Sequence, residues 1–144
     1  MGESAYLSLT TILEKSVEFE KMSAQFYKDL QSKTDDHKII ILLELLEKQE
    51  IEHQHTLERL LAKKEIPDVH IQFPPEINLV MPKLTKENPA FMDIIDLAIE
   101  REIVSASIYE ESSRFVTGAI KDLLDGLAKC ERIHERSLKE LKHQ

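Results

Sequence analysis

The chain has few of the residues that several common kinds of site require. It contains one cysteine, Cys130, in 144 residues. A single cysteine permits no internal disulfide, no thiolate zinc cluster and no iron site with four thiolate ligands. Any metal site in this protein must therefore be built from Glu, Asp and His.

Basic charge and long apolar runs are also scarce. The 19 Lys and Arg stand against 27 Asp and Glu, which gives a net charge of −8 and a pI of about 5.3. Because nucleic acids and anionic membrane surfaces bind basic faces, neither is expected as a partner. No apolar run approaches the roughly 20 residues of a membrane span, and the start, MGESAYLSL, lacks the features of a signal peptide. We therefore expect a cytoplasmic protein.

Proline is absent from both ends of the chain and confined to its middle. The five prolines are Pro67, Pro74, Pro75, Pro82 and Pro89. The segments on either side can therefore form long uninterrupted helices. Apolar residues recur there at helical spacing, with polar turns near residues 33–36 and 116–118. Asn88 and Pro89 are the predicted N-cap and first residue of the third helix.

These patterns predict an all-α protein of two αα-hairpins. Hairpin 1 covers about residues 4–64, the proline-rich linker about 65–89, and hairpin 2 about 90–142. The whole chain, residues 1–144, is predicted to form a single domain.

The two hairpins are an internal repeat. Each carries a Glu, then a Tyr seven residues later, and then a Glu-x-x-His motif on its second helix. At offsets of 82 and 81 residues the matching pairs are Glu20 and Glu102, Tyr27 and Tyr109, Glu50 and Glu131, and His53 and His134.

The repeated Glu and His residues occupy core positions. On the second helix, steps of three and four residues lead through Leu43, Leu46, Glu50, His53 and Leu57. The carboxylates of each hairpin lie equally far from its predicted turn, so antiparallel helices bring them to the same height. Four carboxylates and two imidazoles are therefore predicted to converge in the interior.

Such a cluster requires positive charge, because burying an unpaired carboxylate costs several kcal/mol or forces its protonation. Two divalent ions would balance four carboxylates, and one Glu from each of two helices with Glu-x-x-His from the other two is the ligand set of dinuclear carboxylate bundles. Mixed oxygen and imidazole ligands suit iron or manganese. The predicted metal ligands are Glu20, Glu50, His53, Glu102, Glu131 and His134.

A single Glu-x-x-His motif could instead be a solvated pair on the protein surface. The occurrence of two such motifs at core positions favours a metal site. Tyr27 and Tyr109 are either core aromatics or hydrogen-bond partners of the ligating carboxylates. Cys130 is expected to be a small residue at the edge of the core. The four remaining histidines are expected at the surface: His37, His55, His70 and His143.

With these motifs the sequence resembles the ferritin-like superfamily, and within it the rubrerythrin branch. The resemblance covers both hairpins. It implies a ferritin-like four-helix bundle whose long connection crosses from the second helix to the third. It also implies two iron ions, with manganese or a mixed pair as alternatives, bridged by Glu50 and Glu131. A homodimer is expected.

Two departures from the family pattern bear on function. Rubrerythrins carry an extra carboxylate one turn after the third-helix ligand, where this chain has Ser105, and many end in a rubredoxin domain, which this sequence lacks. The haem-ligating Met that bacterioferritins carry directly after the second-helix Glu is Ile51 here, so no haem is expected.

Three functions remain open at this point. The first is an oxidoreductase that reduces hydrogen peroxide or dioxygen with electrons from an external donor, such as a rubredoxin-like protein. The second is a ferroxidase or iron-handling protein. The third is a structural or sensing bundle that metal stabilises.

Overall fold

The computed structural model describes residues 6–77 and 79–143, and within them the chain folds into four long helices. They are α1 (Leu9–Gln31), α2 (His37–Lys63), α3 (Phe91–Ser113) and α4 (Gly118–Lys142). Helices α1 and α2 pack as one hairpin, and α3 and α4 as the other. The predicted all-α bundle of two hairpins is confirmed.

Side-chain caps account for where the first two helices begin. The Ser8 hydroxyl oxygen accepts a hydrogen bond from the Thr11 N–H at 3.1 Å, so α1 begins at Leu9. The Asp36 carboxylate accepts from the N–H groups of Lys38 and Ile39 at the start of α2. Both caps satisfy backbone donors that have no partner within the helix.

The predicted start of the third helix is wrong by two residues. Asn88 has a φ of 50°, in the left-handed region that Asn tolerates better than most residues, so the chain turns there and cannot begin a right-handed helix. Ala90 is the N-cap residue. Its N–H donates to the Asp93 carboxylate at 2.8 Å, which fixes the first turn of α3.

The linker contributes one strand to a short ladder that the sequence did not predict. Strand β1 (Leu7–Ser8), before α1, pairs antiparallel with β2 (His70–Ile71) in the linker. Ile71 is buried, as are Phe73 and Met81 farther along, and the Arg101 side chain donates to the Pro82 carbonyl at 3.0 Å. The linker is therefore packed against the bundle.

Two apolar clusters show that the linker crosses the length of the bundle. One cluster contains Leu13, Leu57 and Leu124, near the end of α2. The other contains Leu43 and Ile95, near the starts of α2 and α3. Because α2 ends at the first cluster and α3 begins at the second, the predicted crossover connection is confirmed.

One polar layer lies between the two apolar clusters. On α1, buried Leu13 and Val17 precede Glu20, and buried Ala24 and Tyr27 follow it. The other three helices carry buried carboxylates at the same level. Among the described residues, no helix has a segment both long enough and apolar enough to span a membrane.

Candidate metal centre

The six predicted ligands meet in the polar layer, where each is at most 9% exposed. We call them the Glu–His cluster: Glu20, Glu50, His53, Glu102, Glu131 and His134. Helices α1 and α3 each contribute one Glu, and α2 and α4 each contribute a Glu and a His one turn later. All six residues therefore occupy core-facing positions of their helices, and their side chains meet in the interior.

The cluster has approximate two-fold symmetry between the hairpins. His53 Nδ1 lies 3.0 Å from a Glu131 carboxylate oxygen, and His134 Nδ1 lies 3.0 Å from one of Glu50. The two imidazole rings are stacked with their centroids 6.0 Å apart. Each histidine thus reaches a carboxylate of the other hairpin.

The side chains form two groups, each able to surround one ion. The first consists of Glu20, Glu50, His53 and Glu131, and the second of Glu50, Glu102, Glu131 and His134. Within each group, one ligand atom per residue lies within 4.8 Å of all the others. Glu50 and Glu131 belong to both groups. The cluster is therefore arranged as a di-metal site with two shared carboxylates.

Buried atoms without hydrogen-bond partners test whether metal fits this arrangement. Within the described residues these atoms include both carboxylate oxygens of Glu50 and Glu131, one oxygen each of Glu20 and Glu102, and Nδ1 of both histidines. Buried polar atoms nearly always have a partner in folded proteins. All these atoms are electron-pair donors of the kind that divalent ions bind, so the residues present fit two such ions.

Two buried tyrosines hold the outer carboxylates. The Tyr27 hydroxyl donates to Glu102 at 2.5 Å, and the Tyr109 hydroxyl donates to Glu20 at 2.6 Å. Burial and the neighbouring carboxylates raise the pKa of both phenols well above 10. Both therefore remain protonated donors. Of the two interpretations open for these tyrosines, the structure shows the hydrogen bond to a cluster carboxylate.

Without metal, bound protons reduce the negative charge of the buried carboxylates. Burial, followed by repulsion from the other carboxylates, raises the pKa of Glu50 and Glu131 well above the ordinary value. Burial also opposes ionisation of Glu20, but the neighbouring Glu50, His53 and Tyr109 side chains outweigh it and lower its pKa.

The pKa values of the two imidazoles are also raised. Burial by itself would lower the pKa of His53 and His134, but the adjacent Cys130 and carboxylate side chains raise these pKa values to about 10 and about 12. The metal-free cluster is thus held together by imidazolium ions and carboxyl protons. Metal binding must displace these protons.

Two residues of the site were missed by reasoning from sequence. The Gln49 amide oxygen lies 2.5 Å from His134 Nε2, and Cys130 Sγ lies 3.5 Å from the same nitrogen. Cys130 is half-buried, as expected for a core-edge residue, but it also contacts a predicted ligand. The available signal was the repeat, because an offset of 81 aligns Gln49 with Cys130, each directly before the Glu of a Glu-x-x-His motif.

Other predicted positions lie as follows. The four remaining histidines, His37, His55, His70 and His143, are exposed, as predicted. Ser105 is buried one turn after Glu102, so the place of the extra rubrerythrin carboxylate is occupied by a small hydroxyl side chain.

Comparison with known proteins agrees with this geometry. The sequence profile of the rubrerythrin family matches residues 11–142. The chain belongs to the rubrerythrin family. The matched region includes all four helices from Thr11 onward and the whole Glu–His cluster. No curated protein matches the chain.

Two solved structures share the fold. One, from Thermotoga maritima, is described as a ferritin-like diiron-carboxylate protein; it superposes with a TM-score of 0.82 at 20% identity, covering 96% of this chain and 97% of that one. The other is a hypothetical protein from Pyrococcus furiosus, with a TM-score of 0.71 at 24% identity, covering 93% and 87%. At these identities the likeness shows the fold alone, and it confirms the predicted ferritin-like four-helix fold.

Proposed function

We propose that the Glu–His cluster binds two redox-active ions, iron by preference and manganese as the alternative, and that the protein reduces hydrogen peroxide or dioxygen. The observation that carries the proposal is the pair of four-residue groups that share Glu50 and Glu131. The description of the Thermotoga maritima protein as diiron-carboxylate supports iron. An external donor, such as a rubredoxin-like protein, would return the electrons.

The residues have distinct tasks in this proposal. Glu20 and His53 would hold one ion, Glu102 and His134 the other, and the two shared carboxylates would bridge them. When bound, such a pair supplies two electrons for the reduction of one peroxide to two waters, a reaction that also consumes two protons. With four protein groups around each ion, positions remain open for a small oxidant.

The two tyrosines would keep the outer carboxylates in place. Each phenol donates to one oxygen of its partner, and the partner's second oxygen is buried without a hydrogen bond, which leaves it available to an ion. The Oη atoms also hold protons within the buried layer. Because the cluster lies between two apolar clusters, bulk water is excluded and the electrostatic effect of each hydrogen bond is strong.

Burial favours a resident cofactor over transported iron. The side chain of His53, at 11% exposure, is the most exposed of the cluster, and that of His134 is 2% exposed. Ions held at this depth are suited to remain bound while small oxidants enter. An iron-handling protein would instead need to exchange its ions at every turnover.

Stopped-flow oxidation tests this assignment. Protein loaded with two ferrous ions would be mixed anaerobically with one equivalent of peroxide and, separately, with dioxygen, then reduced and challenged again. We expect rapid oxidation by peroxide, slower oxidation by dioxygen, and unchanged iron content after several cycles. Rapid catalytic consumption of excess ferrous iron with dioxygen, alongside negligible reaction with peroxide, would favour a ferroxidase instead.

A further inference from the structure

The symmetry of the site is broken at one pair of positions. The two hairpins contribute identical residues to the Glu–His cluster and identical tyrosines to its carboxylates. Directly before the two bridging carboxylates, however, the repeat places Gln49 in hairpin 1 and Cys130 in hairpin 2. Both side chains are half-buried and lie beside the His134 imidazole.

Gln49 fixes the orientation of His134. Its amide oxygen accepts from the ring Nε2–H at 2.5 Å. The hydrogen of a neutral imidazole therefore resides on Nε2, and Nδ1 keeps its lone pair. Nδ1 is also the ring atom that faces the carboxylates of Glu50 and Glu102, so Gln49 stabilises the tautomer that a metal ion requires.

Cys130 stands at the equivalent place of hairpin 2, directly before Glu131. Its sulfur lies 3.5 Å from His134 Nε2, the nitrogen that Gln49 already contacts. This place therefore offers no amide oxygen to the His53 ring, and His53 is the more exposed of the two imidazoles.

We propose that Gln49 is a positioning residue for His134, and that the presence of Cys130 at the equivalent place of hairpin 2 makes the two metal positions unequal. The position at His134, whose ring is held by an amide oxygen, binds its ion more tightly and fills first. The position at His53, to which Cys130 offers no amide oxygen, fills second. This inference rests on the proposed function, in that the cluster binds two ions.

Titration of metal-free protein with Co²⁺, followed by its visible absorption, separates the two positions. Wild-type protein should bind two equivalents in two distinguishable steps. Gln49→Leu, which removes the acceptor, should weaken the first step by about 10- to 100-fold, the usual effect of losing such a partner. Gln49→Glu, which keeps an acceptor oxygen, should retain a tight first step.

Variants at Cys130 provide the matched comparison. Cys130→Gln gives both imidazoles an amide partner, so the second step should tighten and the two steps should merge. The double variant Gln49→Cys with Cys130→Gln exchanges the two partners and should restore two steps. Because each variant changes a half-buried side chain, circular dichroism of the metal-free proteins would check that all retain the helical fold.

The ring N–H resonances of the Co²⁺-loaded protein assign the steps. Imidazoles bound through Nδ1 give paramagnetically shifted, exchangeable Nε2–H signals. The first signal to appear in wild-type protein should exchange slowly with solvent, and Gln49→Leu should make that signal exchange rapidly. A wild-type protein that binds no Co²⁺ would overturn the proposed function. Two equivalents bound identically by wild type, Gln49→Leu and Cys130→Gln would overturn only this inference.

Discussion

The Tyr27 hydroxyl of hairpin 1 donates a 2.5 Å hydrogen bond to Glu102 of hairpin 2. In the opposite direction, the Tyr109 hydroxyl of hairpin 2 donates to Glu20 of hairpin 1. The two hairpins are thus joined through the polar layer by a reciprocal pair of buried hydrogen bonds. The same contacts that place the carboxylates also hold the halves of the bundle together.

Removal of either hydroxyl should destabilise the fold. Tyr27→Phe or Tyr109→Phe keeps the ring but leaves a buried carboxylate oxygen without its donor, which costs about 1–3 kcal/mol. Urea unfolding of the metal-free proteins would measure the loss. Tyr6→Phe, at a ring that is 65% exposed, is the control and should change stability by less than about 0.5 kcal/mol. Equal stability of all three variants would mean that the hydrogen bonds contribute nothing.

Replacement of a carboxylate that both groups share should remove more metal than replacement of a carboxylate that belongs to one group. Glu50→Gln weakens a ligand common to both groups, so most of both ions should be lost. Glu20→Gln weakens a ligand of one group only, so close to one ion per chain should remain. Elemental analysis after reconstitution would measure both, with His55→Ala, at an exposed histidine, as the unaffected control. Equal losses for Glu50→Gln and Glu20→Gln would contradict the sharing.

Stability of the metal-free protein should fall as the pH rises. The raised pKa values of Glu50 and Glu131, and of His53 and His134 at about 10 and about 12, outweigh the lowered pKa values of Glu20 and of Cys130, the latter at about 6, so the folded state binds more protons than the unfolded state. The imidazole contribution is complete below about 6.5 and is lost as the pH rises toward 10. The carboxyl contribution is lost from about pH 4.5 upward. Each proton taken up on folding contributes up to about 1.4 kcal/mol per pH unit.

Unfolding midpoints at pH 5, 7 and 9 would measure this trend. Metal-loaded protein is the matched control, because deprotonated ligands bind metal better and its advantage over metal-free protein should widen with pH. A metal-free protein that is as stable at pH 9 as at pH 5 would show that the carboxylates are solvated.

Ser105 offers a test of oxidant preference. Ser105→Glu introduces a carboxylate one turn after Glu102, and we expect it to raise the rate with peroxide relative to dioxygen. Ser107→Glu is the control, because Ser107 lies near the Arg132 guanidinium outside the cluster. Stopped-flow rates of the ferrous proteins would give both ratios. If the ratio of the peroxide rate to the dioxygen rate changes equally in the two variants, the residue at position 105 does not determine the oxidant preference.

The sequence predicted those parts of the structure that depend on periodicity. Glu50 and His53 stand at core positions among leucines, and only burial with a counter-charge makes that pattern stable. The start of α3 was not predictable in this way, because it depends on the left-handed turn at Asn88. The ladder between β1 and β2 has two residues per strand, too few for an alternating pattern. Gln49 lies beside the core-facing seam, and its contact with His134 exists only after the hairpins pack.

X-ray absorption spectroscopy of protein loaded with iron tests the central claim most directly, namely that two ions share Glu50 and Glu131. We expect two ions per chain, an iron–iron vector of roughly 3.5–4 Å, and about one imidazole among the oxygen and nitrogen ligands of each iron. One ion per chain, or two ions without an iron–iron vector, would contradict this claim.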